Sequence, residues 1–353
     1  MSRVLDDLTH PIVLAPLGGG PATPALAAAV CEAGGLGFLA AGYRATDDVR
    51  AEIRDLRGRT ASPFGVNVFV PGEPAIDLDA VRAYVATLEP DAERLGVKLG
   101  EPMFDDDGWG AKIEMLIEER VAVASFTFGC PPAEVVRSLR DVGTEVWVTA
   151  TTVEEARRAR DLAVDAIVLQ GTEAGGHRAM WVDDDEAENL GVLPLVRSVA
   201  SEIDLPLVAA GGIGDGPALA AVLTSGARAG QLGTAFLRAS EAGTSEAHRR
   251  ALASDMPTAL TRAFTGRQAR GLLNGFMREH GREAPIGYPY VHYATAPLRV
   301  EARRRGDADN FHLWAGQAHR LALEAPAGEI LLRISRDAHG AAKAVARRHG
   351  WHA

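Results

Sequence analysis

Eight short apolar runs with helix-period segments between them limit what this chain can fold into. They are PIVLA at 11–15, LGFLA at 36–40, FGVNVFV at 64–70 and VAVASF at 121–126. EVWVT at 145–149, AIVLQ at 166–170, PLVAAG at 206–211 and RAGQLG at 228–233 follow. Most are apolar at nearly every position rather than at alternate ones, which suits strands covered on both faces. Helical periodicity marks 24–33, 47–57, 132–142, 152–163, 190–200 and 216–225, and Thr151-Thr152 before Glu154-Glu155 is a good helix start. Repeated strand–helix units predict an α/β fold, a (β/α)8 TIM barrel with a smaller helical subdomain or lid. A doubly wound open sheet is the alternative, because closure leaves no mark on a sequence.

Two stretches break the rhythm. Residues 71–112, with Pro71-Gly72-Glu73-Pro74 and Asp105-Asp106-Asp107-Gly108, lengthen the third connection. Residues 241–353 read as helical and loop-rich with no strong strand. The expected division is a barrel over 1–240 with its insertion at about 71–112, a helical lid or substrate subdomain over 241–285, and a C-terminal segment, 286–353, packing on both.

Composition narrows the class of function. A formal net charge of −10 argues against a non-specific nucleic-acid binder. The short basic runs Arg303-Arg304-Arg305 and Arg347-Arg348 read as solvated helix faces. Cys31 and Cys130 make no disulfide framework, and no Cys/His spacing suggests a metal site. The N-terminus carries acids where a signal peptide would be basic and then apolar, and no apolar run approaches a membrane span. A cytoplasmic protein acting on a small molecule is expected, as a monomer or a homodimer.

Glycine, proline and polar groups gather where the strands end: PLGGG after the first, Asn67 within the third, FGCPP after the fourth, TATT after the fifth. GTEAGGHRA follows the sixth, GGIGDG the seventh and GT the eighth. In a barrel that end is the active-site face. Gly211-Gly212-Ile213, opening onto a helix, and Gly233-Thr234 stand where barrels hold a phosphate on loop amides. GGIGDG is not the dinucleotide pattern GxGxxG. A lone histidine, His177, stands on the bare loop QGTEAGGHRA at 170–179.

These motifs together resemble the nitronate monooxygenases, formerly called 2-nitropropane dioxygenases, FMN-dependent (β/α)8 enzymes. The likeness rests on PIVLAPLGGGPATPALAAAVCEAGGLGFLAAGY at 11–43, GVNVF at 65–69, SFTFGCPP at 125–132 and QGTEAGGHRA at 170–179. It continues through VAAGGIGDG at 208–216, QLGTAFL at 231–237, RAFTGRQARGLLN at 262–274, YPYVHYAT at 288–295 and LWAGQ at 313–317. The resemblance implies FMN contacts at Asn67, Gln170, Gly175, Gly212 and Gln231, Leu232, Gly233 and Thr234, with Gly176 and Gly211 in the same loops. It implies that Ala15, Pro16 and Leu17 run along the isoalloxazine and that His177 is catalytic. Leu17 stands where methionine is common, and Ala179-Met180-Trp181 replaces small residues; both departures are expected to reshape the substrate pocket.

The chemistry agrees. Imidazole suits proton traffic near neutrality, so His177 could take the carbon proton of a nitroalkane or, protonated, hold a nitronate. Oxidation with O2 would yield a carbonyl compound and nitrite. Tyr288, Tyr290 and His292 are expected to fold over the flavin and contact substrate. Glu173 reads as a loop-steadying or helix-capping carboxylate, Cys130 as a buried inert thiol, and WVDDDEAENL at 181–190 as a solvated loop leading into a helix capped near Asn189. An NAD(P)H-dependent flavin reductase of the enoyl or quinone type remains open on this scaffold, as does a flavin- or ligand-binding protein without turnover.

Overall fold

The computed structural model describes residues 2–72 and 76–350; Glu73 and Pro74 of the Pro-rich stretch lie outside them. A short helix, α1 (Arg3–Asp6), precedes β1 (Ile12–Leu14), α2 (Pro24–Glu32), β2 (Gly37–Ala40), α3 (Thr46–Arg59) and β3 (Phe64–Phe69). The long third connection contributes α4 (Leu78–Thr87), α5 (Glu89–Leu95) and α6 (Trp109–Glu119) before β4 (Val123–Thr127). Then come α7 (Ala133–Asp141), β5 (Glu145–Ala150), α8 (Val153–Asp161), β6 (Ala166–Gln170) and a two-residue strand, β7 (Gly176–His177). α9 (Val192–Ala200), β8 (Leu207–Ala210), α10 (Gly216–Thr224) and β9 (Ala229–Leu232) complete the first part. Beyond it lie α11 (Glu246–Leu252), β10 (Thr258–Thr261), β11 (Ala269–Leu272), α12 (Gly275–His280), α13 (Tyr290–Arg305) and α14 (Ala327–His349).

Eight parallel strands pair in the order β1-β9-β8-β6-β5-β4-β3-β2. The remaining gap is bridged by Val13 and Leu36, whose neighbours exchange Leu14 N→Leu36 O at 2.8 Å and Leu36 N→Ile12 O at 3.0 Å. The sheet is a closed TIM barrel, not an open one. Its apolar strands serve two cores at once. Val13, Phe38, Trp147, Val168 and Val208 point inward with Leu5 of α1. Their neighbours Ile12, Leu39, Val146, Ile167 and Ala209 face the helices. This is the period-two geometry of a strand with both sides buried.

A second core caps the C-terminal ends of the strands. Val81, Tyr84 and Leu88 of the insertion pack there with Phe264, Phe276, Val291 and Leu298 of the tail. The Tyr84 hydroxyl donates to the Ala263 carbonyl at 2.7 Å. In 241–353, where the sequence leads one to expect no strong strand, two short ones form: β10 and β11 make an antiparallel hairpin, and β11 also pairs with β7. TALT and ARGL are short and lack clean alternation, so their strand character comes from partners distant in sequence. α14 returns to the barrel and packs on α10 and α2. Among the described residues no helix is long and apolar enough to cross a membrane.

Trp147 is fully buried inside the barrel, its ring centroid 5.9 Å from that of Phe38. Trp147→Ala leaves a cavity that β-strands cannot close, so a loss of about 3–5 kcal/mol is expected. Denaturant unfolding measures it; a loss below about 1 kcal/mol would contradict this packing.

Candidate active site

The barrel mouth and the cap enclose a cavity of about 630 Å³. Ala15, Pro16, Leu17, Asn67, Gln170 and Gln231 line it from the strand ends, and Gly175, Gly176, Gly211, Gly212, Gly233 and Thr234 from the loops. Leu232 does not: its side chain is packed in the core between barrel and helices. Strand alternation turns it away from its neighbour Gln231.

Gly211 and Gly212 follow β8 with φ of 110° and 70°, a backbone that L side chains rarely adopt. Just beyond, the Asp215 side chain caps α10 by accepting from Ala218 N at 2.9 Å. The amides of Gly212, Gly233 and Thr234 meet no acceptor among the described residues. This is a bare donor array beside a helix start, the arrangement that binds anions. Gly175 is needed for close approach: a Cβ there would lie 2.5 Å from Gly316 N.

Three amide side chains reach the cavity in different states. Asn67 Nδ2 donates to Ser125 Oγ at 2.8 Å and Thr127 Oγ1 at 3.0 Å. Its Oδ1 faces the cavity as an acceptor. Gln231 makes no side-chain hydrogen bond among the described residues. Gln170 is largely engaged within the protein: Oε1 accepts from Arg178 Nη1 at 3.1 Å and Ala179 N at 2.9 Å, and Nε2 donates to the His177 carbonyl at 3.0 Å.

His177 is held through its main chain. It sits opposite Ala269 of β11, and the next amide, Arg178 N, donates to the Gln268 carbonyl at 2.8 Å. Four rings surround its imidazole, with centroids at 6.5 Å (Tyr43), 5.9 Å (Phe128), 6.0 Å (Tyr288) and 5.6 Å (Trp314). Nε2 lies 2.9 Å from Thr265 Oγ1. Burial, followed by the nearby Arg267 and Arg299 charges, pushes the imidazole down to about 3, so the ring is neutral at pH 7. Arg299 is 7% exposed and no carboxylate pairs with it among the described residues. Its Nε donates to Thr295 Oγ1 at 3.0 Å and its Nη2 to the His292 carbonyl at 2.7 Å. Burial lowers it to about 10. Arg267 covers the face of Phe128 at 4.0 Å.

Tyr43 and Phe128 take left-handed backbones, φ 63° and 76°. Such conformations cost about 1–3 kcal/mol each and persist where surroundings over-determine them. For Tyr43 those surroundings are visible. Its amide donates to Asp107 Oδ1 at 2.8 Å, and Asp107 Oδ2 pairs with the buried Lys112 ammonium at 2.7 Å. Its ring stacks on His292 at 4.0 Å.

Of the tail residues expected at the site, His292 lines the cavity. Tyr288 forms the wall of a neighbouring cavity of about 260 Å³ and meets the site through the ring cluster. Tyr290 packs against the second core, because it opens α13 facing that core rather than the barrel. Ala179 and Met180 are buried and line neither cavity, and Trp181 lines only the neighbouring one, so this departure does not reshape the main pocket. Arg303 lies on no solvated face. It lines the cavity and donates to the Gly19 carbonyl at 3.0 Å. Glu173 caps α9 by accepting from Val192 N at 3.0 Å; the cap residue is Gly191, not Asn189. Cys130 is free and half-buried, its thiol pushed up to about 12 by burial. Tyr43, Phe128, Thr265, Arg299 and Trp314 had no local signal beyond their places in or beside the quoted motifs.

Four imidazoles here are held below the ordinary value by burial: His177 to about 3, His248 to about 4, and His292 and His312 well below. The unfolded chain binds protons at these sites below about pH 6.5, and the folded one does not. Stability is therefore complete above about 6.5 and lost on acidification toward the folded values, at up to about 1.4 kcal/mol per pH unit for each fully buried ring. His177, only partly buried, contributes less. Thermal unfolding between pH 7 and 5 should show a falling midpoint that His248→Gln makes shallower; a flat profile would contradict the assignment.

A family model described as nitronate monooxygenase matches residues 2–337. The nitronate monooxygenase of Paraburkholderia phytofirmans is 39% identical, covering 94% of this chain and 92% of that protein. That of Pseudomonas aeruginosa is 41% identical, covering 94% and 97%. Among solved structures, the nitroalkane oxidase of Streptomyces ansochromogenes is 48% identical with a TM-score of 0.94, covering 97% of this chain and 99% of that one. FabK from Thermotoga maritima is 26% identical with a TM-score of 0.77, covering 100% and 99%. The chain is an oxidoreductase and belongs to the nitronate monooxygenase family.

Proposed function

We propose that this chain binds FMN in the barrel mouth and oxidises alkyl nitronates, such as propionate 3-nitronate, with O2 to a carbonyl compound and nitrite. The residues present fit the cofactor. The unpartnered amides of Gly212, Gly233 and Thr234 suit its phosphate, and the apolar strip Ala15-Pro16-Leu17 suits a flat ring. Asn67 Oδ1 and the Gln231 carboxamide offer an acceptor and a mixed partner for polar ring edges. The cavity volume lies in the ordinary range for such ligands, about 300–1,000 Å³. When bound, FMN supplies the redox chemistry that makes the nitronate carbon reactive toward O2.

The observation that carries the reading is a neutral imidazole in a cavity beside buried guanidinium groups. A nitronate is an anion, and Arg299, with Arg267 behind the rings, provides the positive potential that draws it in. That task falls to the arginines rather than to a protonated His177. For a neutral nitroalkane, His177 takes the proton from the carbon next to the nitro group. The nitronate formed then stabilises the imidazolium beside it, offsetting the low basicity of the empty site. Tyr43, Phe128, Tyr288 and Trp314 keep water from this exchange.

Purified protein should carry a yellow chromophore released as FMN, and should consume O2 and form nitrite from propionate 3-nitronate without NADH or NADPH. His177→Asn should keep the chromophore and lose about 10²–10⁴ in kcat/KM for a neutral nitroalkane. Unchanged turnover in that variant would remove His177 from the chemistry. Bleaching by NADH or NADPH with no response to nitronate would support a reductase on this scaffold instead.

A further inference from the structure

One ring nitrogen of His177 is committed and the other is open. Nε2 lies 2.9 Å from Thr265 Oγ1, whereas Nδ1 has no partner among the described residues and is accessible from the cavity. Which nitrogen carries the proton of the neutral ring is set by the Thr265 hydroxyl, which has one proton to give. Two acceptors compete for it: His177 Nε2 and the carbonyl of Arg267, 3.2 Å from Oγ1. That carbonyl has no other donor among the described residues, and Arg267 is a buried residue. Leaving it unmet would cost about 1–3 kcal/mol, whereas the imidazole can shift its proton to Nε2 and donate instead. The hydroxyl therefore donates to Arg267 O, and its oxygen accepts Nε2–H.

We infer that Thr265 is a positioning residue that holds neutral His177 as the Nε2–H tautomer, making Nδ1 the atom that receives the substrate proton. The inference rests on the reading of His177 as the base. In the step, the C–H bond beside the nitro group breaks and an N–H bond forms at Nδ1. The electron pair stays on the substrate and spreads onto the nitro oxygens, while Nε2–H remains on Thr265.

The pair is rigidly mounted. Thr265 lies in a tight turn, with Thr265 N→Arg262 O at 3.1 Å and Gly266 N→Arg262 O at 2.8 Å. Arg262 is clamped by Asp183, with Nε and Nη2 each 2.9 Å from a carboxylate oxygen, and by Asp185 at 2.6 Å. His177 is tied to the same hairpin through β11 and Gln268. The charged and titratable groups facing the ring are Tyr43 from the loop after β2, Arg267 and Tyr288 from the loops flanking β11 and α13, and His292 and Arg299 from α13. None of them hydrogen-bonds either ring nitrogen among the described residues.

The test uses ¹⁵N-histidine-labelled full-length protein, with the His177 signals identified by their loss in His177→Asn. At pH 7 the wild type should show a protonated Nε2 and an unprotonated Nδ1. Thr265→Val should average the two signals, and Thr265→Ser should keep them apart. In parallel, the ratio of kcat/KM for nitroethane to that for its preformed nitronate should fall at least about ten-fold in Thr265→Val and recover in Thr265→Ser. A protonated Nδ1 in the wild type, or a valine variant that changes neither spectrum nor ratio, overturns the assignment. If the wild type oxidises neither compound, the failure belongs to the proposed function, and the ¹⁵N pattern decides the tautomer by itself.

Discussion

The two-residue pairing of β7 with β11 is the contact on which the site depends. Two paired positions, Ala269 with His177 and Arg270 with Gly176, join the loop after the sixth barrel strand to the C-terminal hairpin. The hydroxyl and the guanidinium groups that set the character of His177 arrive with that hairpin or after it. Thr265 and Arg267 sit in the connection between β10 and β11, Tyr288 leads into α13, and Arg299 lies on α13. Without the pairing the imidazole would stand on a glycine loop with many accessible conformations. With it, a side chain from one layer and its electrostatic surroundings from the other are fixed at hydrogen-bond precision.

That arrangement has a thermodynamic cost. Among the described residues Arg299 is buried without a carboxylate, several imidazoles are buried neutral, and two aromatic residues hold left-handed backbones. Each feature destabilises the site, and an anion in the cavity would offset the cost of the buried guanidinium. Burial, with the Arg267 and Arg299 charges adding to it, disfavours protonation of His177. If His177 is the base proposed above, binding and basicity are coupled: the substrate's own developing charge restores the affinity for a proton that the empty cavity denies.

The barrel was legible because its strands obey a local rule. Runs such as AIVLQ are apolar on both faces, and a strand covered on both sides needs that wherever it lies. Glycine pairs at strand ends were legible for a similar reason, since left-handed backbone at Gly211 and Gly212 is written in the residue type. His177 stood out because a histidine on so bare a loop lacks a local structural use. The hairpin of β10 and β11 obeys no local rule; four mixed residues become a strand only when partners from residues 176–177 and 258–261 arrive. Tyr43 and Arg299 were hidden for the same reason. A tyrosine after β2 and an arginine on a helix look ordinary until the tertiary fold brings Asp107 beneath one and the cavity in front of the other.

Two layers sharing one site also divide its labour. The amides of Gly212, Gly233 and Thr234, unpartnered among the described residues, belong to loops that follow barrel strands, and the tail braces them where Gly316 N donates to Thr234 Oγ1 at 2.9 Å. The far wall, with His292, Arg299, Arg303 and Trp314, comes from the cap, whose core is separate from that of the barrel. Substitutions there alter charge and shape in front of His177 while the barrel keeps its own packing. On the proposed reading, a scaffold divided in this way can change its substrate wall without rebuilding its cofactor wall. The constraint that survives any such change is the proton path. A cap that moved Thr265 away from Nε2 would leave the imidazole present but free to take either tautomer.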